Sequence, residues 1–338
     1  MNWKSSPVSR YIDAMWCPRC SGDLALSTSI MTCENGHSYE IAENIPRLFI
    51  PHAVEPSSGD VTEAMKRFYE ETPFPNYDDF DDVGSLQDKA RAGVFAKMLD
   101  DQVPFGARIL ECGCGTGQMS NFLSIANRSV VGTDMSVPSL LLGQQFKERN
   151  SLERVLFLQM NLFKPAFRPE SFDLVISNGV LHHTSDPSGA FRSIAPLVRP
   201  GGYILIGLYH RYGRLITDAR RLIFRLTKDH FTWLDPNLRK TDTARGRWKA
   251  WFMDQYKNPH ESKHTIGETL GWLKEAGLKF VRSIPTSYPF EPFNVSDRLF
   301  EPQRHGNYFE RLIVELGMIS KGSREGGFFI ILAQRPRG

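Results

Sequence analysis

Short apolar runs alternate with stretches of helical periodicity through the middle of the chain. Three of these runs are Ser129–Asp134, Val155–Met160 and Phe172–Asn178. After a further short apolar run that ends at Leu110, the residues Met119 and Phe122 begin a helical repeat. Buried parallel strands that alternate with helices produce this pattern. The pattern therefore predicts an α/β fold around a largely parallel sheet.

The C-terminal third continues the same alternation after a longer interruption. A helix is predicted up to Leu226, and another over residues 265–276. The apolar runs Lys279–Ile284 and Phe328–Gln334 fit two further strands. The helix that ends at Leu226 carries an apolar stripe at helical spacing, formed by Leu215, Ala219, Leu222, Ile223 and Leu226.

Composition and charge narrow the class of protein. Of the 338 residues, 41% are hydrophobic and 23% are charged, which is an ordinary globular balance, and the net charge is only +3. The segment from Arg211 to Lys249, however, contains 11 Lys and Arg residues and only 4 Asp residues. It could therefore bind phosphates, carboxylates or an acidic lipid surface, or it could form a solvated helix face.

No apolar run is long enough for a membrane span, and Met1 to Asp13 lacks a signal-peptide core. A cytoplasmic protein is therefore expected.

Four residues near the N-terminus have the spacing of a metal site, C-x2-C-x12-C-x3-H. They are Cys17, Cys20, Cys33 and His37. Each close pair can lie on a tight turn, and three thiolates with one imidazole suit Zn²⁺. Such a short segment cannot bury much apolar surface, so the metal would supply much of its folding free energy. The pattern predicts a structural zinc site, and the other two cysteines are read as incidental thiols.

A glycine-rich segment follows the strand that ends at Leu110. It reads Glu-Cys-Gly-Cys-Gly-Thr-Gly over residues 111–117, and a helical repeat follows. A dinucleotide-binding loop would need G-x-G-x-x-G, but residue 118 is Gln118. The spacing is instead G-x-G-x-G with an acidic residue, Glu111, two positions before the first glycine. Glycines at a strand-to-helix turn let the backbone approach a ligand closely.

This segment resembles motif I of class I S-adenosylmethionine-dependent methyltransferases, and later motifs extend the resemblance over about residues 105–210. They include Asp134 at the end of the second strand and FDLVISNGVLHH over 172–183. The resemblance implies a Rossmann-like seven-stranded sheet with helices on both faces and an antiparallel last strand. It implies that Asp134 accepts both ribose hydroxyls, whereas Asn161 replaces the Asp that many members use for adenine. The cofactor-binding residues predicted in this way are Glu111, Gly113, Cys114, Gly115, Thr116, Gly117, Asp134, Met135, Asn161, Leu162 and Asn178.

The cysteine-rich segment, with Tyr39 to Phe49 after it, resembles two kinds of zinc ribbon. One accompanies tRNA methyltransferases as an activator, and the other is the N-terminal ribbon of a bacterial 23S rRNA guanine methyltransferase. We therefore predict a zinc ribbon over 1–52, a cap or linker over 53–98 and a methyltransferase domain over 99–338. A helical insertion is expected at about 211–264. The ribbon either docks substrate or only braces the next domain, and four protein ligands would leave no open position for chemistry.

Candidate substrate residues flank the predicted core. An aromatic, Pro-rich segment over 65–80 suggests a lid that carries Tyr69, Asn76 and Tyr77, or a strap that packs on the core. The stretch 254–265 resembles a pocket-lining segment of small-molecule methyltransferases. The remaining substrate candidates are Tyr209, His210, Tyr256, His260 and His264. A catalytic base is not identified, and the candidates are His182, His183, Tyr209 and His210.

Three functions stay open from the sequence. The first is methyl transfer from S-adenosylmethionine to a small-molecule or conjugated metabolite, in which the protein aligns the reacting atoms and excludes water. The second is an RNA methyltransferase that uses the ribbon and the basic insertion. The predicted strand Phe172–Asn178 does not end in the signature of enzymes that methylate exocyclic base nitrogens. The third is a catalytically silent pseudo-methyltransferase that binds a protein partner. The oligomeric state is not predicted.

Overall fold

The structure is a computed structural model that describes residues 7–52, 61–75, 77, 82–239, 245–291, 293–294, 296–325 and 327–337. The first described elements are two short 3-10 turns, Pro7–Arg10 and Ile12–Ala14. An antiparallel sheet follows, with strands β1 (Leu24–Leu26), β2 (Ile30–Cys33), β3 (Ser38–Ala42) and β4 (Ile45–Pro46) in that order. This small sheet, together with residues 7–52 around it, is called the ribbon below.

The described residues between the ribbon and the main sheet form three helices. They are α1 (Thr62–Glu71), α2 (Val83–Ala92) and α3 (Val94–Gln102). Helix α2 begins with a capping box, in which the Asp82 carboxylate accepts the backbone N–H of Ser85 and the Ser85 hydroxyl reaches back to Asp82. The predicted cap over 53–98 thus contains helices, although its boundaries stay a prediction.

The main sheet has seven strands, as predicted. They are β5 (Arg108–Cys112), β6 (Ser129–Asp134), β7 (Val155–Gln159), β8 (Phe172–Asn178), β9 (Val198–Tyr209), β10 (Lys279–Ile284) and β11 (Phe328–Gln334). Their order is β10-β11-β9-β8-β5-β6-β7. Strands β5 to β9 are mutually parallel and β11 is antiparallel to both of its neighbours, which confirms the predicted antiparallel last strand.

Alternate residues of each central strand enter opposite cores, so both faces of the sheet are covered. Leu110 belongs to one buried cluster and Ile109 to the other. The first cluster packs against the ribbon and the helices α6 (Pro187–Ile194) and α9 (Ile266–Glu275). The second packs against α2, α3, α4 (Gln118–Ile125) and α5 (Val137–Arg149). The predicted Rossmann-like α/β class is confirmed.

An insertion at about 211–264 stays a prediction, and the described residues of this range include several helical elements. They include α7 (Leu215–Leu226), α8 (Arg245–Phe252) and a π-helical segment, Met253–Lys257. A last helix, α10 (Tyr308–Glu325), lies beside α7 and α9. Among the described residues, no helix combines the length and the apolar character that crossing a membrane requires.

The ribbon lies against the outer edge of the main sheet. The backbone N–H of Leu48 donates to the carbonyl of Gln159 at 2.9 Å, at the end of the edge strand β7. On the same side, the N–H of Trp16 donates to the carbonyl of Ala166, and the Tyr11 hydroxyl donates to the carbonyl of Val130. Because an edge strand has unpaired backbone groups, the ribbon protects this edge.

Candidate functional site

A cavity of about 650 Å³ opens at the carboxyl ends of the parallel strands. Its wall includes residues from the ends of β5, β6, β8 and β9, and also residues of α1, α2 and the π-helical segment. This edge is the ligand-binding side of open parallel sheets, because the loops that follow the strands diverge there.

The glycine loop shapes one side of the cavity. Gly115 has φ of +54°, and a Cβ at this position would lie 2.2 Å from the carbonyl oxygen of Phe74. Gly117 has φ of +73°, and a Cβ there would lie 2.2 Å from the ring of Phe157. Both positions therefore require glycine for conformation and for space. The N–H of Gly115 donates to the Asp134 carboxylate at 2.9 Å, which ties the loop to the end of β6.

Two buried carboxylates face the cavity beside this loop. Burial, together with the nearby charge of Asp134, raises the pKa of Glu111 to about 7, although the Ser120 hydroxyl donates to it at 2.5 Å. Burial also raises the pKa of Asp134, against the opposing effect of its hydrogen bonds from the N–H groups of Ser136 and Gly115. Paired carboxylates at low dielectric are stabilised by a ligand with positive charge and hydroxyl donors.

Replacement of Glu111 by glutamine is expected to stabilise the ligand-free protein at high pH. The folded protein holds a proton on Glu111 that the unfolded chain releases near its ordinary pKa of 4.5, so stability falls as pH rises from there to about 7. The glutamine variant does not lose stability in this way as pH rises. At pH 8, its free energy of unfolding should exceed that of the parent by on the order of 3 kcal/mol. Near pH 4, the two free energies should be equal. Urea unfolding at both pH values measures it, with the exposed Glu153→Gln as control. Equal stability at pH 8 would contradict the argument.

The other end of the cavity is formed partly by the tail of the ribbon. Phe49 lines the cavity together with Asn161 and Leu162. The Asn161 amide donates to the carbonyl of Ile50 at 2.9 Å, and its oxygen accepts the N–H of Phe163 at 3.1 Å. An aspartate at 161 would set a carboxylate against the Ile50 carbonyl, which gives a physical reason for asparagine at this position.

A hydrogen-bonded cluster forms the wall near β9. The Asp254 carboxylate accepts the Tyr69 hydroxyl at 3.2 Å and the Gln255 amide at 2.9 Å, and the same amide donates to the Tyr209 hydroxyl at 2.7 Å. Burial, and next the charge of Asp254, raise the pKa of Tyr69 and Tyr209. Both phenols therefore stay protonated at neutral pH. Behind the cluster, Arg214 pairs with Glu261 at 2.6 Å and lies over the Tyr209 ring at 3.8 Å.

His183 also lies in this wall, and its tautomer follows from its partner. Its Nδ1 lies 2.8 Å from the backbone carbonyl of His260, and a carbonyl can only accept. Nδ1 therefore carries the proton, and Nε2 keeps its lone pair. Burial lowers the pKa of His183, so the imidazole is neutral near pH 7.

Many of the residues predicted from the sequence come together in this one wall. They are Glu111, Gly113, Cys114, Gly115, Asp134, Met135, Asn161, Leu162 and Asn178 among the cofactor candidates, and Tyr69, His183 and Tyr209 among the others. Two other loop candidates lie behind the wall. Thr116 is fully buried and its carbonyl accepts the Tyr77 hydroxyl at 2.9 Å, whereas Gly117 faces the ring of Phe157.

The remaining candidates lie outside the cavity wall, each with a structural partner. Tyr77 stacks on Phe146 at 4.7 Å, and Tyr256 donates to Asp235 at 2.9 Å. Three histidines also pack away from the cavity. His210 is fully buried and accepts the Gly213 N–H at its Nδ1, His260 contacts the Thr184 carbonyl, and His264 contacts the Ser262 hydroxyl.

His182 is fully buried against the ring of Tyr209 at 4.1 Å, and the described residues offer its nitrogens no hydrogen-bond partner. Asn76 lies outside the described residues. Sequence reasoning did not select Asp254, Gln255 or Phe49. Asp254 begins the stretch that resembles a pocket-lining segment, so a signal for it existed. Phe49 had none, because its place depends on how the ribbon docks.

The four predicted metal ligands converge in the ribbon. The ligand atoms of Cys17, Cys20, Cys33 and His37 all lie within 4.8 Å of one another. The Cys20 and Cys33 sulfurs are 3.8 Å apart, and the His37 Nδ1 lies 3.3 Å from the Cys33 sulfur. Zn–S bonds of about 2.3 Å in a tetrahedron give a sulfur separation of about 3.8 Å.

The fold, the glycine loop and the paired carboxylates together define a Rossmann-like methyltransferase domain. In agreement, residues 110–206 match the family model described as "Methyltransferase domain". Residues 110–206 of this chain are therefore similar to a methyltransferase domain.

Among curated proteins, an uncharacterised protein of Synechococcus sp. is 29% identical over 198 residues, which are 52% of this chain and 48% of that protein. A ubiquinone biosynthesis O-methyltransferase of Aeromonas salmonicida is 31% identical over 140 residues, 39% of this chain and 58% of that enzyme. The chain thus spans about half the length of these relatives. A methyltransferase structure from Mesorhizobium loti is similar at a TM-score of 0.45 and 18% identity, covering 73% of this chain and all (100%) of that one. A likeness of that degree gives no information on activity.

Proposed function

We propose that this protein transfers a methyl group from S-adenosylmethionine to a small-molecule acceptor. The observation that carries the proposal is the pair of buried carboxylates, Glu111 and Asp134, beside the glycine loop of one cavity. S-adenosylmethionine has ribose hydroxyls, an ammonium and a sulfonium, so it supplies the hydroxyl donors and the positive charge that such a pair favours.

The residues along the cavity fit the parts of this cofactor. Asp134 would accept the ribose hydroxyls, and Glu111 would attract the cationic end. Met135, Leu162 and Phe49 provide apolar surface for the adenine, whereas the Asn161 side chain is already hydrogen-bonded to the backbone of Ile50 and Phe163. When bound, the cofactor supplies the electrophilic methyl group.

The acceptor would bind in the cavity beside His183 and the Tyr69–Asp254–Tyr209 cluster, which form one continuous part of its wall. The neutral imidazole, with Nδ1–H on the His260 carbonyl, leaves Nε2 able to take a proton from an oxygen nucleophile. Asp254 would stabilise the resulting imidazolium by its charge, since it opposes the lowering of the His183 pKa. The O-methyltransferase names of several relatives support an acceptor of this kind.

The charged side chains of the insertion favour a small molecule over RNA. Several of its arginines pair with acidic groups of this chain: Arg211 with Glu268, and both Arg214 and Arg221 with Glu261. Arginines engaged in this way have less capacity to neutralise phosphates.

We also propose that the ribbon binds one structural Zn²⁺ through Cys17, Cys20, Cys33 and His37. Two neighbouring groups suit thiolate ligands: the Tyr39 hydroxyl lies 3.0 Å from the Cys17 sulfur, and the Asn35 amide donates to the Cys20 sulfur at 3.3 Å. Four protein ligands leave no position for substrate, so the ion would stabilise the ribbon and take no part in the reaction.

Calorimetric titration with S-adenosylmethionine tests the central proposal. Binding in the micromolar range is expected, with no comparable binding of NAD, because the loop has no phosphate-binding spacing. Transfer of labelled methyl to a panel of phenols and other hydroxylated metabolites then tests turnover. His183→Ala should abolish that transfer and leave cofactor affinity unchanged. Absence of binding would refute the proposal, and binding without transfer to any acceptor would favour the pseudo-methyltransferase.

A further inference from the structure

The apolar stripe of helix α7 faces solvent, whereas a helix that packs on a core normally buries such a stripe. Leu215, Leu222, Ile223 and Leu226 are 47%, 55%, 37% and 74% exposed. The opposite side of the helix packs inward through Thr217 and Phe224. An amphipathic helix normally buries its apolar stripe in the core, and exposed apolar surface of this extent marks an interaction site.

Apolar exposure continues in the neighbouring elements. After α7, Phe231 and Trp233 are 43% and 54% exposed. Helix α10, which lies beside α7, exposes Phe309, Ile313 and Leu316 by 72%, 55% and 47%. We use the name α7 surface for Leu215, Ala219, Leu222, Ile223, Leu226, Phe231 and Trp233.

Positively charged side chains lie at the edge of the α7 surface. Arg225 and Lys228 are exposed beside its C-terminal end. The acidic residues nearby are paired within the chain: Asp218 with Lys263 at 2.6 Å, and Asp229 with Lys257 at 2.8 Å. The surface therefore combines an apolar stripe and a tryptophan with net positive charge at its edge.

We propose that the α7 surface docks on an anionic lipid surface, with the helix axis parallel to the membrane plane. Helices that lie in the membrane interface have an apolar side with Leu and Trp and a Lys- and Arg-rich border, and anionic headgroups attract that border. A second copy of this chain is the alternative occupant, and the oligomeric state in solution distinguishes it from a lipid surface.

The position of α7 gives this docking a structural consequence. Its inward side packs against the π-helical segment: the ring of Phe224 lies 4.7 Å from the ring of Tyr256, two residues after Asp254 of the cavity wall. Lipid docking would therefore bring the acceptor side of the cavity close to the membrane. The docking itself does not depend on the proposed methyl transfer.

Vesicle flotation of the 338-residue chain tests the proposal. We expect binding to vesicles of phosphatidylcholine and phosphatidylglycerol at low salt, weaker binding to pure phosphatidylcholine, and release as salt rises. The double variants Leu222→Ser/Leu226→Ser and Arg225→Glu/Lys228→Glu should each reduce binding at least tenfold. These side chains are exposed, so the unfolding temperature should not fall.

Two control variants match the changes in chemistry. Phe105→Ser removes a side chain that is 75% exposed elsewhere, and Lys274→Glu reverses an exposed charge on α9; both should bind as the parent does. Absence of binding to the anionic vesicles at low salt would overturn the proposal. Vesicle binding that neither double variant weakens would also overturn it. A dimer in light scattering that Leu222→Ser/Leu226→Ser dissociates would assign the surface to self-association instead.

Discussion

Asp134→Ala is expected to weaken S-adenosylmethionine binding by two orders of magnitude or more. In the proposed complex, this carboxylate accepts both ribose hydroxyls, and each hydrogen bond to a charged group contributes roughly 1.5–3 kcal/mol. The carboxylate also accepts the N–H groups of Gly115 and Ser136, at 2.9 and 2.8 Å. The alanine variant therefore loses the ribose contacts and the tie between the glycine loop and β6 at once.

Calorimetric titration of the variant beside the parent protein measures this effect. Asp134→Asn keeps the shape of the side chain and one acceptor oxygen, so its affinity for S-adenosylmethionine should lie between those of the parent and the alanine variant. Asp101→Ala serves as the matched control, because that carboxylate is exposed on α3 and pairs with Lys97 away from the cavity. Urea unfolding should show that the alanine variant remains folded, since burial disfavours the Asp134 charge in the ligand-free protein. An affinity within threefold of the parent would exclude the ribose role of Asp134.

Loss of the proposed ribbon zinc is expected to unfold the ribbon and to weaken cofactor binding about tenfold. Structural zinc contributes an apparent ~10–16 kcal/mol to the folding of isolated small zinc domains, so a ribbon without it should become sensitive to protease. Two contacts transmit the loss to the cavity. The Ile50 carbonyl accepts the Asn161 amide, and the His52 ring stacks on Phe163 at 4.1 Å.

Cys20→Ser is the variant of choice, because Cys20 is exposed and its replacement disturbs little besides the metal site. Metal analysis of the purified protein should give one zinc per chain in the parent and much less in this variant. Cys112→Ala is the matched control, since that thiol is buried in β5 outside the cluster, and it should retain the metal. Full zinc in Cys20→Ser would contradict the site. Zinc loss with unchanged cofactor affinity would show that the ribbon and the cavity are independent.

The sequence predicted the local parts of the fold well, because they depend on residues that are close together in the chain. A strand such as Ser129–Asp134 is recognisable from its own apolar run, and its observed bounds agree with the prediction. The glycine loop is likewise local: a turn with positive φ at Gly115 and Gly117 requires glycine whatever surrounds it. The ligand spacing of the ribbon also brings its four atoms together across one hairpin.

Prediction of the cavity wall was less complete, because a wall is assembled from distant segments. Asp254 and His260 belong to one short stretch, but of these two only Asp254 lines the cavity. His260 contributes its backbone carbonyl, which accepts a hydrogen bond from the ring of His183. Selection by residue type alone therefore included several histidines that lie outside the cavity wall, such as the fully buried His210.

By itself, the sequence determined the strands of the main sheet, the glycine turn, the acidic residue at the end of β6 and the metal-ligand spacing, since each is encoded by neighbouring residues. Tertiary structure alone decided three other features: Phe49 of the ribbon lines the cavity, Asn161 is engaged by the Ile50 carbonyl, and α7 turns its apolar stripe outward. Each of these depends on how separate elements pack. Helical periodicity defines an apolar stripe, but only the neighbours of a helix decide whether that stripe is buried.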